Sequence, residues 1–365
     1  MSVKFDYCIL GAGLAGLSLA DSLQDRGLSV CVIEKNHIGS GASGTPGGLV
    51  NPATGRRATK SWKAEGCYKA ISENLDKVSP YSEESFYNKN GVLRPALTEK
   101  MARKMQERFL ETTWEEGWCL WQTEKEIKER HPGINCLEGG LWLPVGISVD
   151  SGQYLQALAA YLEDNKVKIF TEFVPTVSHE GTNWIIKLPE RKLEVNQLVY
   201  ATGYATLSLD YWKDLPFNPI KGQVALFKTD SDKLNFDHSI SSLGYIANLN
   251  NDNTFVQGST YEHDFNDIKP DAFGEEYLRK RLRRTLPGLE ERSEVIDQWA
   301  GVRVSTPDRK PVLGRHKDIK NLHLFTGLGS KGLLYGKYLA DHYADHLIDG
   351  AKLYKEISID RLYNS

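Results

Sequence analysis

The chain has 365 residues, 40% of them hydrophobic, which suffices for a sizeable core and for two domains. Its 45 Lys and Arg nearly balance 48 Asp and Glu, and the net charge of -3 excludes a general attraction to nucleic acid or to an anionic membrane, leaving only local patches. The five cysteines (Cys8, Cys31, Cys67, Cys119, Cys136) never form a Cys-x-x-Cys pair, which disfavours a disulfide framework and a thiolate metal site.

Along the chain, the first apolar stretch, Tyr7 to Ala20, is broken by three glycines and has neither a charged start nor a small-residue cleavage site. No run of about 20 apolar residues occurs elsewhere, so no integral membrane segment is expected and the protein is expected to be cytoplasmic. Phe5 to Leu10 reads as a buried strand that runs into Gly11-Ala12-Gly13-Leu14-Ala15-Gly16. Leu14, Leu17, Leu19, Ala20 and Leu23 then recur at helical spacing, Gly27 stops the helix, and Ser29 to Ile33 reads as a second strand ending in Glu34 and Lys35. This β-α-β unit carries a dinucleotide fingerprint. Gly11 permits the tight turn, Gly13 lets the backbone approach a pyrophosphate, and Gly16 lets helix and strand pack closely. The helix start at Leu14 and Ala15 offers free N–H groups to phosphates, and Glu34, 18 residues after Gly16, is placed for ribose hydroxyls. The competing reading is a Gly-rich turn in a generic α/β protein.

Gly39 to Gly48 follows as a run of small residues whose N–H groups suit a second part of a long cofactor, or a flexible loop. Arg56, Arg57 and Lys60 come next, either at an entrance for an acidic substrate or on a solvated loop. Tyr154 to Leu162 reads as an amphipathic helix, Val167 to Phe170 as a parallel strand, and Trp184 to Leu188 with Val195 to Tyr200 as strands beside it. Between Gly222 and Gln257, alternating strands and an Asn-Asn-Asp-Asn turn at 250–253 predict an antiparallel sheet. Arg279 to Arg284 is a dense basic stretch on a predicted helix, flanked by Glu275, Glu276, Glu290 and Glu291. His342 and His346 share a helix face four residues apart without a third ligand, so no metal is expected, and the nearby acids read as a solvated helix.

These pieces together resemble the D-amino acid oxidase superfamily of FAD-dependent oxidoreductases, which includes glycine oxidase, sarcosine oxidase and D-amino acid dehydrogenase. The resemblance spans the whole chain in order. It is carried by the fingerprint, Gly41-Ala42-Ser43-Gly44, Gly139 to Pro144 with Val149-Asp150-Ser151, Ala201-Thr202-Gly203, Pro219 to Val224, Gly301 to Asp308, and Gly327 to Leu334. It implies an α/β fold, an FAD-binding Rossmann-type (glutathione reductase-like) domain with an interleaved α+β substrate domain on an antiparallel sheet. The implied division is 1–80, 150–215 and 300–365 for FAD, with 81–149 and 216–299 for substrate.

The resemblance further implies that Gly41, Ala42, Ser43 and Gly48 hold the FAD, that the Val174 backbone reads the adenine, and that Ala201, Thr202 and Gly203 lie against the cofactor. Gly329, Ser330, Lys331, Gly332 and Leu333 open a helix whose positive end faces the flavin pyrimidine, where Lys331 would offset charge that collects on reduction. Arg303 is the implied carboxylate anchor, by a two-pronged geometry that lysine cannot copy. The alternative for Arg303 is a structural arginine on a carbonyl, and for Val174 a core valine. Tyr245 matches an active-site tyrosine, although Ala247-Asn248 replaces the usual Pro-Arg, and Tyr261 sits on the neighbouring strand. Arg303, Val304 and Ser305 stand where sarcosine oxidase-like members carry a flavin-bonding cysteine, so the FAD is expected to be non-covalent. The implied reaction is oxidation of a small amino acid or secondary amine at the C–N bond by hydride transfer to flavin N5, with oxygen or a quinone as acceptor. The alternative is the flavin half of the bifunctional enzymes that remove a carboxymethyl group from a tRNA wobble uridine, for which Arg279 to Arg284 would track phosphates.

Overall fold

In the computed structural model, which describes residues 3–55, 57–231, 234–249 and 253–363, the first glycine turn joins strand Val3–Leu10 to helix Leu14–Gln24 and then to strand Val30–Ile33. Along both strands alternate residues enter opposite cores. Tyr7, Ile9, Val30 and Val32 pack on one face, and Cys8, Leu10, Cys31 and Ile33 on the other. Burial on both faces explains why these strands are apolar without polar interruption.

They belong to an eight-stranded sheet with the order Lys168–Phe170, Val30–Ile33, Val3–Leu10, Arg191–Tyr200, Asn183–Leu188, Thr176–Glu180. Strand Leu322–Thr326 pairs in parallel with Leu198 to Tyr200 and carries Val312–Arg315 on its other side. The parallel part brings the C-terminal ends of Val3–Leu10, Arg191–Tyr200 and Leu322–Thr326 to one edge, where open α/β sheets bind ligands. Helix Ser151–Asp164, capped by the Asp150 carboxylate on the Gln153 N–H at 3.0 Å, and helix Gly332–Asp349 cover one face.

A buried ionic cluster locks the first helix to its neighbours. Asp21, fully buried, accepts from Asn74 Nδ2 at 2.9 Å and lies 2.8 Å from both Lys77 Nζ and Lys337 Nζ. Burial alone would lower both lysines, but Asp21 raises them above the ordinary range, so they stay charged.

The second eight-stranded sheet runs Ser293–Ser305, Asn218–Thr229, Thr254–Gly258, Tyr245–Ala247, Ser239–Ser241, Val92–Pro95, Gly140–Leu143, Leu120–Gln122. Its pairs are antiparallel except Ser239–Ser241 with Val92–Pro95. Positions 250–252 of the expected turn, and Arg56, lie outside the described residues; the strands flanking the turn pair antiparallel. Strand Ser293–Ser305 remains in this sheet to its end, five residues past position 300. Helix Ala272–Thr285 packs Leu278 and Leu282 on it through Phe227 and Phe255, whose rings stack at 5.2 Å. No described helix is long and apolar enough to cross a membrane.

Candidate active site

Steric contact at the first turn requires glycine three times. Gly11 has φ +108°, and a Cβ there would stand 2.5 Å from the Ala201 carbonyl oxygen; on Gly16 it would stand 1.9 Å from that of Gly11. A Cβ on Gly13 would meet Ser43 Oγ at 2.8 Å. Ser43 Oγ accepts the Leu14 N–H at 3.1 Å, and Gly39 N–H donates to the Ala12 carbonyl at 3.0 Å, so the small-residue loop closes over the helix start that includes Ala15. The Glu34 carboxylate is 8% exposed and accepts from Ala12 N at 3.0 Å, Asn36 N at 3.0 Å and Ser40 Oγ at 3.1 Å. A carboxylate offers about four lone-pair sites, which leaves room for a further donor. Lys35 beside it is exposed. Val174 is 81% exposed, so it is not a core valine, and the Phe173 N–H donates to the Glu34 carbonyl at 3.1 Å, which keeps Val174 at the Glu34 end.

The later segments converge on the same edge. Ala201 N–H donates to the Leu10 carbonyl at 2.8 Å, Thr202 Oγ1 lies 2.9 Å from Thr206 Oγ1, and Gly203 turns the chain with φ +52°. A Cβ on Gly48 would sit 2.8 Å from Leu333 Cδ1, and one on Gly332 would sit 2.8 Å from Leu14 Cδ1, so the two helix starts abut. The Gly329 N–H donates to the Val304 carbonyl at 3.1 Å, tying the loop with Ser330 to the strand that carries Arg303. Gly301 of that strand lies against the small-residue loop, the candidate cofactor loop, its added Cβ falling 2.9 Å from Ala42 Cα, one residue from Gly41.

Arg303, Tyr245, Tyr261 and Lys331 meet at this junction. The Arg303 guanidinium donates to the Thr260 carbonyl at 2.7 Å and to Ser259 Oγ at 3.2 Å, and lies 4.4 Å from the Tyr261 ring centroid. Among the described residues, two of its five N–H donors are thus used. Tyr245 Oη donates to the Gly47 carbonyl at 2.7 Å, and burial pushes its phenol up to about 12 against the pull of Arg303. Burial lowers the Lys331 ammonium, Arg309 adds to this, and Tyr261 opposes it.

Sequence reasoning missed the support beneath Arg303. Lys221, 2% exposed, lies 3.2 Å from Asp271, 3.8 Å from Glu262 and 3.8 Å from Asp267. Gln223 donates to Glu262 at 3.0 Å and to Asp271 at 3.1 Å, and its backbone N–H bonds Thr260 Oγ1 at 2.9 Å. Lys221 and Gln223 occupy one face of their strand and Gly222 the other, where a Cβ would fall 1.8 Å from Arg303 Nη2. The available signal was Lys-Gly-Gln inside a strand, two long polar residues flanking a glycine. His342 stacks on Tyr354 at 4.1 Å and His346 bonds the Ala351 carbonyl at 2.7 Å, while the opposite side of their helix enters the core, so only part of it is wet. Among the described residues no three His, Cys, Asp or Glu gather as a metal site.

The close approaches at Gly11, Gly13 and Gly16 and the spare acceptor capacity of Glu34 fit a dinucleotide at this edge. Residues 6–346 match the family described as FAD dependent oxidoreductase (DAO). The tRNA 5-methylaminomethyl-2-thiouridine biosynthesis bifunctional protein MnmC of Marinobacter nauticus is 27% identical over 377 residues, covering 98% of this chain and 58% of that protein. The MnmC of Maricaulis maris is 28% identical over 354 residues, covering 96% and 53%. The chain thus spans about half the length of the curated relatives it matches. In fold it superposes on glycine oxidase from Geobacillus kaustophilus with a TM-score of 0.82, 20% identity and 96% of each chain covered. Iminodiacetate oxidase from Chelativorans sp. BNC1 gives 0.78, 20% and 98% of each chain. With nearly its full length matched by the family model, and with the glycine turn, the Ala201 to Gly203 strand end and the Gly332 helix start gathered at one sheet edge, this chain belongs to the DAO family and is an FAD-dependent oxidoreductase.

Proposed function

We propose that the chain oxidises the C–N bond of an amine bearing a carboxylate, a small amino acid or an N-carboxymethyl secondary amine, with Arg303 as the carboxylate anchor. The observation that carries this is the Arg303 guanidinium, half-buried at the cofactor loop with three N–H donors left for a ligand. Bound FAD supplies the acceptor for the hydride that leaves the carbon beside the nitrogen. Arg303 holds the carboxylate, Tyr245 and Tyr261 wall the space beside it, and the backbone of Gly47 and Gly48 keeps the cofactor loop against Tyr245. Lys331, with the start of helix Gly332–Asp349, offsets negative charge at the far end of the ring system.

Glu34, with Lys35 next to it, receives the ribose. Gly11, Gly13, Leu14, Ala15 and Gly16 receive the pyrophosphate with Ser43, and Val174 meets the adenine. None of the five cysteines lies in the strand that carries Arg303 or in the Gly327 to Leu334 segment, which supports a non-covalent FAD. The cofactor domain is read as 1–80, 150–215 and 300–365, supported by the parallel sheet, and the substrate domain as 81–149 and 216–299, supported by the antiparallel one, which also keeps residues 300–305 at the end of strand Ser293–Ser305.

A second reading follows from the MnmC relatives, which are 24–28% identical across 84–98% of this chain. Here the amine is borne by a modified tRNA wobble uridine; loss of two electrons and addition of water release its carboxymethyl carbons as a two-carbon aldehyde acid. Anaerobic bleaching of the bound flavin tests both. Sarcosine, glycine, proline or a D-amino acid is expected to bleach it where dimethylamine does not. Equal bleaching by dimethylamine would remove the role of Arg303, and bleaching only by 5-carboxymethylaminomethyluridine would favour the second reading.

A further inference from the structure

Away from the flavin edge, the second sheet carries a groove of about 950 Å³. Helix Glu99–Glu111 lends it Lys100 and Lys104, and helix Ala272–Thr285 lends it Lys280, Arg281, Arg283 and Arg284. Arg57 closes one side, on a loop held by the buried Arg94, whose Nη2 donates to the Gly55 carbonyl at 2.6 Å. Among the described residues no carboxylate lines the groove.

The ion pairs separate this groove from an ordinary solvated helix face. Arg283 is taken by Glu290 at 2.8 Å, and Lys280 faces Glu276 at 3.4 Å. Arg57, Lys100, Lys104, Arg281 and Arg284 lack an acidic partner among the described residues. Like charges one helical turn apart repel, as Lys100 and Lys104 do, and so do Lys280 and Arg284. A chain with a net charge of -3 concentrates cations here against that repulsion.

We infer that this groove binds the phosphate backbone of RNA. Two features favour RNA over an acidic protein. Arg281 lies 4.2 Å from the Tyr277 ring centroid and bonds the Tyr277 hydroxyl, so a guanidinium and an aromatic ring, the groups on which bases stack, stand together in the lining. The groove is also joined along the chain to the proposed reaction site: Ser242 and Leu243 line it, and two residues on Tyr245 begins the next strand, bonded to the Gly47 carbonyl. Phosphates held by Lys104 and Arg281 would leave an amine-bearing base to enter past Leu243. The identity of that RNA as the amine's carrier rests on the second reading above.

The test is fluorescence anisotropy of a labelled, unmodified tRNA transcript with the FAD-loaded protein across a salt series. The wild type is expected to bind, with log affinity falling linearly in log salt. Lys104→Ala/Arg281→Ala should weaken binding at least tenfold and reduce the slope by roughly 1.5, since each phosphate contact contributes about 0.7–0.9. Lys100→Ala/Lys104→Ala, on exposed and half-exposed helix positions, should do likewise and keeps the test valid if Arg281 proves necessary for folding. No binding by the wild type, unchanged affinity in both variants, or equally tight binding of polyglutamate would overturn the inference. Bleaching by small amines is measured separately and is expected to survive both variants. If bleaching fails while RNA binding follows the groove residues, the catalytic reading falls and the groove stands.

Discussion

Glu34→Gln separates the turn-holding bonds of this carboxylate from its proposed ribose role. Its Oε1 accepts from Asn36 N and Ser40 Oγ, and its Oε2 from Ala12 N, all at 3.0–3.1 Å and with the side chain 8% exposed. An amide in the same place has one accepting atom. If its oxygen keeps Asn36, its NH₂ faces the Ala12 N–H; if it turns, it faces the Asn36 N–H instead. Ser40 can rotate its hydroxyl to suit either case, but a backbone N–H cannot. One buried donor is therefore unmatched in both rotamers, which costs the fold about 1–3 kcal/mol. Ribose hydroxyls would lose a charged acceptor for a neutral one, about 1 kcal/mol or roughly fivefold in FAD affinity. Urea unfolding of the apoprotein reads the first quantity, and FAD titration by fluorescence quenching reads the second. Ser40→Ala is the control, removing one hydroxyl and leaving the carboxylate two N–H donors, so FAD affinity should hold. Lost stability with unchanged FAD affinity would refute the ribose role and leave Glu34 as a prop for the turn.

Gly13→Ala should abolish FAD retention, and Ser43→Ala added to it relieves the 2.8 Å contact with Ser43 Oγ; if the double variant regains normal FAD binding, close approach of a phosphate is not what Gly13 serves. Arg303→Lys should raise KM for sarcosine about tenfold or more, because a point charge replaces a planar fork, while binding of amines lacking a carboxylate stays constant; equal losses for both classes would mean a purely structural arginine. His323, bonded to Tyr343 Oη at 3.0 Å and Gln197 Oε1 at 2.9 Å, is held down to about 3 by burial, with the nearby Arg315 and His346 charges adding to it. Its unfolded form binds a proton near pH 6.5 and its folded form does not, so stability is lost as pH falls from 6.5 toward 3, by up to about 1.4 kcal/mol per unit. In His323→Gln that acid slope should flatten in urea titrations from pH 7 to 4, and parallel curves for the two proteins would contradict the assignment.

What the sequence made legible is local. The strand, glycines and terminal acid of the first unit lie within about 30 residues, and Gly11, Gly13, Gly16 and Glu34 are found where periodicity and turn chemistry put them. The Gly39 to Gly48 loop was visible as small residues, but the Ser43 hydroxyl on the Leu14 N–H was not, because 29 residues separate them. Register hides more. Ile220 pairs with Arg303 across two long strands, and only that pairing sets Gly222 and the Thr260 carbonyl against the guanidinium. The cationic groove was half legible: Arg279 to Arg284 shows as a charge run, yet Arg279 and Arg283 are spent on Glu275 and Glu290. Lys100 and Lys104 join Arg281 only through the order of the second sheet, and no charge count along the chain pairs them.

The two meanings weighed for Arg303, substrate anchor and structural arginine, are compatible once the geometry is considered. Gly222 and Gly301 are cross-strand partners, and glycine in a strand interior weakens a sheet because it has more backbone entropy to lose and no side chain to pack. Both stand where something must come close: Gly301 at Ala42 of the cofactor loop, Gly222 at Arg303 Nη2. The sheet is thus thinned where the loop and the guanidinium meet. Bonds to the Thr260 carbonyl and Ser259 Oγ fix the guanidinium plane, with Tyr261 against its face. A fixed plane is what a two-pronged carboxylate contact requires, and a fork of five donors supplies both the fixing and the binding. Lysine, with three donors on a freely rotating ammonium, supplies a charge without the plane. On the proposed reading, the structural bonds of Arg303 are the means by which it becomes an anchor, and Lys221, Gln223 and Glu262 act through them by holding the Ser259 to Tyr261 segment in place.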